Sequence, residues 1–174
     1  MQQATLDLLV IAAKAGNKEA FGKLYEYFQQ PTLRFSYKLC SNASIAQDAT
    51  QEAWISCAKS IRKLADIRQF RAWLFRTVRW RTIDQLRQQL PSATDDVEMS
   101  TDVAGAQQVD GVEQEELHHL IAALPQVERE AIYLFYLEQL RIQEIAVVLG
   151  IPNGTVKSRL NRARQHLRER YIEK

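Results

Sequence analysis

The sequence has little of what redox proteins, membrane proteins and secreted domains depend on. Its two cysteines, Cys40 and Cys57, form no close-paired motif, so buried, unreactive thiols are favoured over a redox site. The apolar run at 8–13 ends at Lys14, far short of the roughly 20 residues that span a membrane. No basic cluster precedes an apolar core at the start, so we expect no secretory signal, no membrane insertion and a cytoplasmic protein.

The side-chain constellations of catalysis are also missing. Glu115 and His118 have the spacing of half a di-iron site, but a second copy is absent, so surface positions are favoured. Asp95 and Asp96 lie in a stretch without periodicity, where nothing would hold a metal rigidly. The segment 150–155 has the wrong length and no lysine for a phosphate-binding loop. We therefore expect a binding protein, with no enzymatic activity, metal or cofactor.

Positive charge is absent from one long stretch. No Lys or Arg occurs between Arg87 and Arg129, whereas basic residues gather at 59–87 and 157–174. The acidic residues inside the stretch are Asp95, Asp96, Glu98, Asp102, Asp110, Glu113, Glu115, Glu116 and Glu128. Small and polar residues without period predict a flexible linker over 91–112. Two basic modules on an acidic connector fit nucleic-acid binding in two places.

The strongest local pattern, at 140–170, predicts two helices around a tight turn. The first helix carries an apolar face of Ile142, Ile145, Ala146 and Leu149. Gly150 can take positive φ there, and Pro152, Asn153 and Gly154 open the second helix. The second helix has an apolar stripe of Val156, Leu160, Ala163 and Leu167, opposite Lys157, Ser158, Asn161, Arg162 and Gln165. An ordinary amphipathic surface helix is the alternative, but the helix–glycine–helix spacing favours a helix-turn-helix that reads the major groove.

The first half also has helical spacing. Asn17 is a plausible cap for a helix carrying Phe21, Leu24, Tyr25 and Phe28, which Pro31 interrupts before the pattern restarts at 33–39. After a link at 41–44, a helix from about 45 has Ala49, Ala53, Trp54 and Cys57 on its apolar side. Its polar patch consists of Asp48, Gln51 and Glu52.

A loop at 67–70 and a helix from Arg71 to about Gln89 follow, with aromatic and basic residues interleaved. The aromatics are Phe70, Trp73, Phe75 and Trp80, and the arginines are Arg68, Arg71, Arg76, Arg79, Arg81 and Arg87. Aromatic rings offer unpaired bases a stacking surface, and arginine both neutralises phosphate and stacks. The alternative, core aromatics with merely solvated arginines, is expected to hold for Trp73 itself.

Helical spacing returns near 115, and Pro125 starts a helix that should pack beneath the helix-turn-helix. Its apolar residues are Val127, Ala131, Ile132, Leu134, Phe135 and Leu137. We predict an all-α fold of two small helical domains, 1–90 and 113–174, joined by the acidic linker 91–112. The second is a helix-turn-helix four-helix domain.

The sequence resembles one family throughout, the extracytoplasmic-function (ECF) sigma factors of the sigma-70 family, which are bacterial transcription initiation factors. Its segment EIAVVLGIPNGTVKSRLNRARQHLRE is similar to that family's DNA-reading segment. The segment ASIAQDATQEAWI resembles the polymerase-binding helix, and FRAWLFRTVRWRTIDQLRQ resembles the promoter-melting helix. NKEAFGKLYEYF and LPQVEREAIYLFYLEQL resemble the openings of the two domains.

The resemblance implies an alternative sigma factor that directs core RNA polymerase to specific promoters and is restrained by an anti-sigma factor. It implies that a coiled coil of core polymerase binds Asp48, Gln51 and Glu52. The residues that would capture the melted minus-ten strand are Asp66, Arg68, Arg76, Arg79 and Trp80. Those that would read the minus-thirty-five element as duplex DNA are Lys157, Ser158, Asn161 and Arg162.

The chain departs from the family pattern at three positions. Trp80 and Arg81 stand where members usually carry a small amide and an aliphatic residue. Arg141 replaces the usual Ser or Thr cap of the first motif helix, a loss of about 1 kcal/mol. The alternative function is a free-standing helix-turn-helix regulator whose N-terminal half senses a ligand or dimerises. Tight binding to core polymerase distinguishes the two, because such a regulator does not need it.

Overall fold

The computed structural model describes residues 2–89 and 119–172, and the regular elements within these ranges are all helical. The predicted all-α fold is thus confirmed. The chain divides into two compact units, Met1–Pro91 and Ser92–Lys174. The predicted linker and the pairs Asp95–Asp96 and Glu115–His118 lie outside the described residues.

The described part of the N-terminal unit contains four α-helices. They are α1 (Gln3–Lys14), α2 (Lys18–Cys40), α3 (Ala43–Ser60) and α4 (Phe70–Gln89). Helices α2, α3 and α4 pack against one another and α1 packs on α2, while the 3-10 turns Ile61–Lys63 and Ile67–Gln69 connect α3 to α4. The fully buried side chains at the centre include Leu24, Phe35, Phe70, Leu74, Phe75 and Val78.

Local capping determines where the helices begin and end. The Asn17 side chain accepts a hydrogen bond from Ala20 N at 3.0 Å, which confirms it as the cap of α2. Ser41 ends α2 in the left-handed region at φ 51°, and Asn42 caps α3 by accepting from Ile45 N at 3.1 Å. Helix α3 therefore begins at Ala43, two residues before the predicted start.

The predicted interruption at Pro31 is wrong, because α2 continues through it. A proline inside a helix removes one hydrogen bond and costs roughly 3 kcal/mol. Packing on both sides offsets that cost, since Phe28 and Phe35 are both buried. The Thr32 hydroxyl donates to the Phe28 carbonyl at 2.7 Å and accepts from Trp54 Nε1 at 3.3 Å. Tertiary contacts thus keep α2 helical on both sides of Pro31.

The described part of the C-terminal unit begins with helical residues at 119–122. It continues with α5 (Gln126–Ile132), a π-helical turn (Tyr133–Leu137), α6 (Ile142–Leu149) and α7 (Asn153–Ile172). Both α5 and α6 pack on α7. Gly150, at φ 67°, ends α6 in the left-handed conformation that the sequence predicted. The helix-turn-helix is therefore present and lies on α5.

The apolar face predicted for α5 is partly wrong. Val127 is 47% exposed, while the charged residues Glu128, Arg129 and Glu130 are buried. Each charge has a partner that compensates its burial: the hydrogen-bond partners are His166 for Glu128, the Ala122 carbonyl for Arg129 and Gln126 for Glu130. In α6, Val148 is buried with Ile145 and Leu149, whereas Ala146 is only partly buried.

Candidate nucleic-acid and polymerase interfaces

Helix α7 has one buried side and one exposed basic side, as predicted. Val156, Leu160 and Ala163 are buried in the unit, while Leu167, the fourth residue of the predicted stripe, is only partly buried. The five residues of the predicted DNA-facing stripe are exposed: Lys157, Ser158, Asn161, Arg162 and Gln165. Within the described ranges, no hydrogen bond or ion pair occupies the side chains of Lys157, Asn161 or Arg162. These donor groups are therefore available to a ligand.

Two other residues of this stripe have local partners. The Ser158 hydroxyl donates to the Thr155 carbonyl at 2.9 Å, one turn earlier. The Gln165 amide donates to Glu169 Oε1 at 2.9 Å. Ser158 can still accept through its hydroxyl oxygen, whereas Gln165 is directed along the helix axis.

Three side chains that sequence reasoning missed attach α7 to the rest of its unit. His166 Nδ1 lies 2.8 Å from Glu128 Oε2. Arg164 Nε donates to Tyr136 Oη at 3.0 Å, and Arg170 Nη1 donates to a backbone carbonyl near the start of α5 at 3.1 Å. These basic residues therefore orient α7, while Lys157 and Arg162 of the exposed stripe have no partner in the described part of the chain.

Helix α6 begins without the Ser or Thr N-cap that is usual in the family. Arg141 occupies the N-cap position, and a guanidinium has no atom that accepts a hydrogen bond. Glu144 supplies the other half of a capping box, because its Oε2 accepts from Arg141 N at 2.7 Å. The predicted loss of the Ser or Thr cap is thus real and is compensated in part.

On α4, two of the four aromatic rings predicted to form a surface are buried. Phe70 and Phe75 are buried, and Trp73, expected in the core, is only partly buried. Trp80 is 57% exposed. Five residues separate Phe75 from Trp80, which is about 140° around a helix, so the two rings cannot share a face. The predicted stacking surface is therefore wrong for Phe70 and Phe75, whose rings are buried, whereas Trp80 is exposed and Trp73 is partly exposed.

The three basic residues that the resemblance groups with Trp80 differ in exposure. Arg68 and Arg76 are exposed and Arg79 is partly buried. The predicted loop before α4 is a 3-10 turn, and Asp66 caps it by accepting from Arg68 N at 3.0 Å. The carboxylate also lies 3.7 Å from Arg68 Nε. Asp66 thus shapes the turn that presents Arg68.

The polar patch on α3 is present but divided. Asp48 and Gln51 are exposed, with Ile55 next to them at 48% exposure. Glu52 is held by α4 instead, since its Oε1 accepts from Gln85 Nε2 at 2.9 Å. Nothing in the α3 sequence indicated this second role of Glu52.

Burial also agrees with the expectation of unreactive thiols. Cys40 and Cys57 are buried and are not joined in a disulfide. Burial raises the pKa of Cys57 to about 12 and also raises the pKa of Cys40. Among residues 2–89 and 119–172, no three His, Cys, Asp or Glu side chains group closely enough for a metal. No helix in this part of the chain is long and apolar enough to cross a membrane.

Comparisons with known proteins agree with this arrangement. The chain matches the family models for sigma-70 region 2 over residues 24–90 and sigma-70 region 4 over residues 114–167. The ECF RNA polymerase sigma factor SigW of Bacillus subtilis (strain 168) is 30% identical over 174 residues, which covers 90% of this chain and 91% of SigW.

Two solved structures share the fold. One is CnrH in complex with the cytosolic domain of CnrY, with a TM-score of 0.71 at 22% identity, covering 97% of this chain and 98% of CnrH. The other is RpoE with the anti-sigma factor NepR from Bartonella quintana, with a TM-score of 0.68 at 23% identity, covering 86% of this chain and 94% of RpoE.

The chain belongs to the ECF RNA polymerase sigma factors of the sigma-70 family. It is an alternative sigma factor, a transcription initiation factor rather than an enzyme, and it binds RNA polymerase and promoter DNA. The function predicted from the sequence is thereby confirmed. A free-standing regulator loses its support, because both units match sigma-70 regions in order.

Proposed function

We propose that the two units of this sigma factor have separate tasks. Residues 1–90 bind core polymerase and the melted minus-ten strand, residues 113–174 read the minus-thirty-five element, and 91–112 link them. The main supporting observation is α7, where the side chains of Lys157, Asn161 and Arg162 are exposed opposite the buried stripe and have no partner among residues 2–89 and 119–172. Lysine and arginine can read guanine in the major groove and asparagine can read adenine. Together with Ser158, these residues form the proposed reading set.

The proposed minus-ten set comprises Asp66, Arg68, Arg76, Arg79 and Trp80. An exposed indole among arginines suits an unpaired strand, since the ring stacks on a base and the guanidinium groups meet phosphate. Asp66 acts by shaping the turn that carries Arg68.

The proposed polymerase-docking set comprises Asp48, Gln51 and Glu52. Asp48 and Gln51 offer charge and hydrogen bonds next to the exposed apolar side chain of Ile55. A polar pair beside an apolar residue resembles the composition of protein interfaces, which combine an apolar centre with a polar rim.

An anti-sigma protein restrains the factor in the cytoplasm, where core polymerase and promoters are found. Supporting this, one protein of the same fold was solved in complex with the anti-sigma factor NepR. The test is purification of the tagged chain from its own cells, followed by addition of any co-purified protein to a transcription reaction. A bound protein that leaves transcription unchanged would contradict the restraint.

Run-off transcription with purified core polymerase on a pool of genomic fragments tests the main proposal. The docking variant is Asp48→Lys, because Asp48 is exposed and, unlike Glu52, does not hold α4. Its matched control is Glu26→Lys, a reversal of an exposed acid on α2. We expect Asp48→Lys to lose core binding and transcripts, and Glu26→Lys to keep both. Equal core binding by the two variants would refute the docking assignment.

A further inference from the structure

Arg81, on α4, reaches across to α3 and is held there by two side chains. Its Nη2 donates to Ser56 Oγ at 2.9 Å, and its Nη1 lies 3.4 Å from Glu52 Oε2. Gln85 holds the other carboxylate oxygen of Glu52 at 2.9 Å. The Arg81 side chain is 30% exposed, so most of it is covered by the protein. The guanidinium is therefore fixed by α3.

The same guanidinium covers one face of the Trp80 ring. Arg81 Cζ lies 4.8 Å from the centroid of the indole, within the range of a cation–π contact. Neighbouring residues on a helix do not face each other, so helix geometry alone does not bring these two side chains together. The guanidinium makes this contact from the position in which it also meets Ser56 and Glu52 of α3.

We propose that Arg81 is a positioning residue for Trp80. Ser56 and Glu52 hold the guanidinium, the guanidinium holds one face of the indole, and the uncovered face stacks on one unpaired base of the melted strand. This inference rests on the proposed minus-ten role of Trp80. It differs from a phosphate contact by Arg81, whose guanidinium is directed to α3 and whose Nε is buried.

The arrangement also links the two proposed interfaces of the N-terminal unit. Glu52 belongs to the polymerase-docking set, and it contacts Arg81, which in turn contacts Trp80 of the minus-ten set. Ser56 belongs to neither set, so its substitution tests the positioning without touching either interface.

The test measures binding of the holoenzyme, core polymerase with the full chain, to a labelled single strand that the wild-type holoenzyme selects from a random pool. Arg81→Leu should weaken binding about three- to tenfold, because the indole loses its support. Arg81→Lys should weaken it as much, because an ammonium has neither the planar surface nor the fork that reaches Ser56. Ser56→Ala should cost about twofold. Lys18→Leu, which removes an exposed positive charge from α2, outside both proposed sets, should bind like wild type.

A double-mutant cycle separates positioning from a direct contact. In a Trp80→Ala background, Arg81→Leu should cost nothing further, because its effect passes through the indole. An undiminished cost in that background would overturn the proposal, as would full binding by Arg81→Lys.

Fluorine NMR of the chain labelled with 5-fluorotryptophan gives a readout that does not depend on DNA. Arg81→Leu should shift the Trp80 resonance and leave those of Trp54 and Trp73 in place, which also shows that the unit is folded. An unshifted Trp80 resonance would overturn the positioning role. Failure of the wild-type holoenzyme to select any strand would instead overturn the proposed minus-ten function.

Discussion

Replacing His166 by alanine should loosen α7 from α5, because the change leaves a carboxylate buried without its partner. The Glu128 side chain is 6% exposed and lies 2.8 Å from His166 Nδ1, while the imidazole itself is 42% exposed. A hydrogen bond to a charged group contributes about 1.5–3 kcal/mol. Because the imidazole is partly solvated, we expect a loss near the middle of that range, about 2 kcal/mol.

Hydrogen exchange read by mass spectrometry is the suitable assay. All three tryptophans belong to the N-terminal unit, so tryptophan fluorescence does not report on α5 and α7. A loss of about 2 kcal/mol should speed exchange of α5 and α7 amides that open with the unit by about 30-fold. Amides of α2 and α3 serve as the internal control and should not change.

Two companion variants test the physical reasoning. Glu128→Gln keeps an oxygen that can accept from the imidazole, so it should cost about half as much. Glu128→Leu combined with His166→Ala removes both partners and should be less damaging than His166→Ala alone, because no charge is left buried. Wild-type exchange in His166→Ala, or a double variant worse than the single one, would refute the reasoning.

Three further predictions concern the turn of the helix-turn-helix, a buried thiol and the reading helix. Gly150→Ala should destabilise the C-terminal unit by about 1 kcal/mol, because φ is 67° there although an added Cβ meets nothing within 4 Å. The control is Gly154→Ala on α7, where an added Cβ also meets nothing within 4 Å, and it should be neutral or stabilise the unit by about 0.5 kcal/mol. Equal amide exchange rates in the two variants would contradict this. At pH 9, iodoacetamide should modify Cys57 in the folded chain at least roughly a hundredfold more slowly than in the unfolded chain, because burial raises the thiol pKa from 9.0 to about 12. The stability that this neutral thiol contributes should be complete below pH 9.0 and should decline as the pH rises towards 12. Urea unfolding at a series of pH values measures the free energy of unfolding, and a value that does not decline over this range would refute the prediction. Arg162→Ala should cost roughly 1–3 kcal/mol and relax preference at one promoter position, whereas uniform weakening across sequences would make Arg162 a phosphate contact.

The helix-turn-helix was predictable because its signals are local. The apolar stripe of α7 repeats at helical spacing, and a glycine stands where the backbone takes positive φ. Asn17 could be identified as a cap for the same reason, since its partner Ala20 is three residues away. Each of these features depends on residues within a few positions of one another.

The misassigned face of α5 has a non-local cause. Val127 looked like a core residue and Glu128 like a solvated one, but their exposures are reversed. The partner that compensates the burial of Glu128 is His166, 38 positions later, and no periodicity within α5 indicates it. The π-helical turn that follows α5 also changes the helical register, so the apolar period cannot be extended through it.

At the proposed interfaces on α3 and α4, too, the sequence could not show contacts between residues that are far apart along the chain. Helical spacing correctly grouped Asp48, Gln51 and Glu52 on one side of α3, but spacing does not say what lies opposite them. Because α4 packs beside α3, Glu52 meets Gln85 and Arg81, 33 and 29 positions away. Arg81, which the sequence presented only as a departure from the family pattern, thereby comes to lie between Glu52 and Trp80. Trp80 and Arg81, the two neighbouring departures from the family pattern, are thus also in contact in the fold, where the guanidinium lies over the exposed ring.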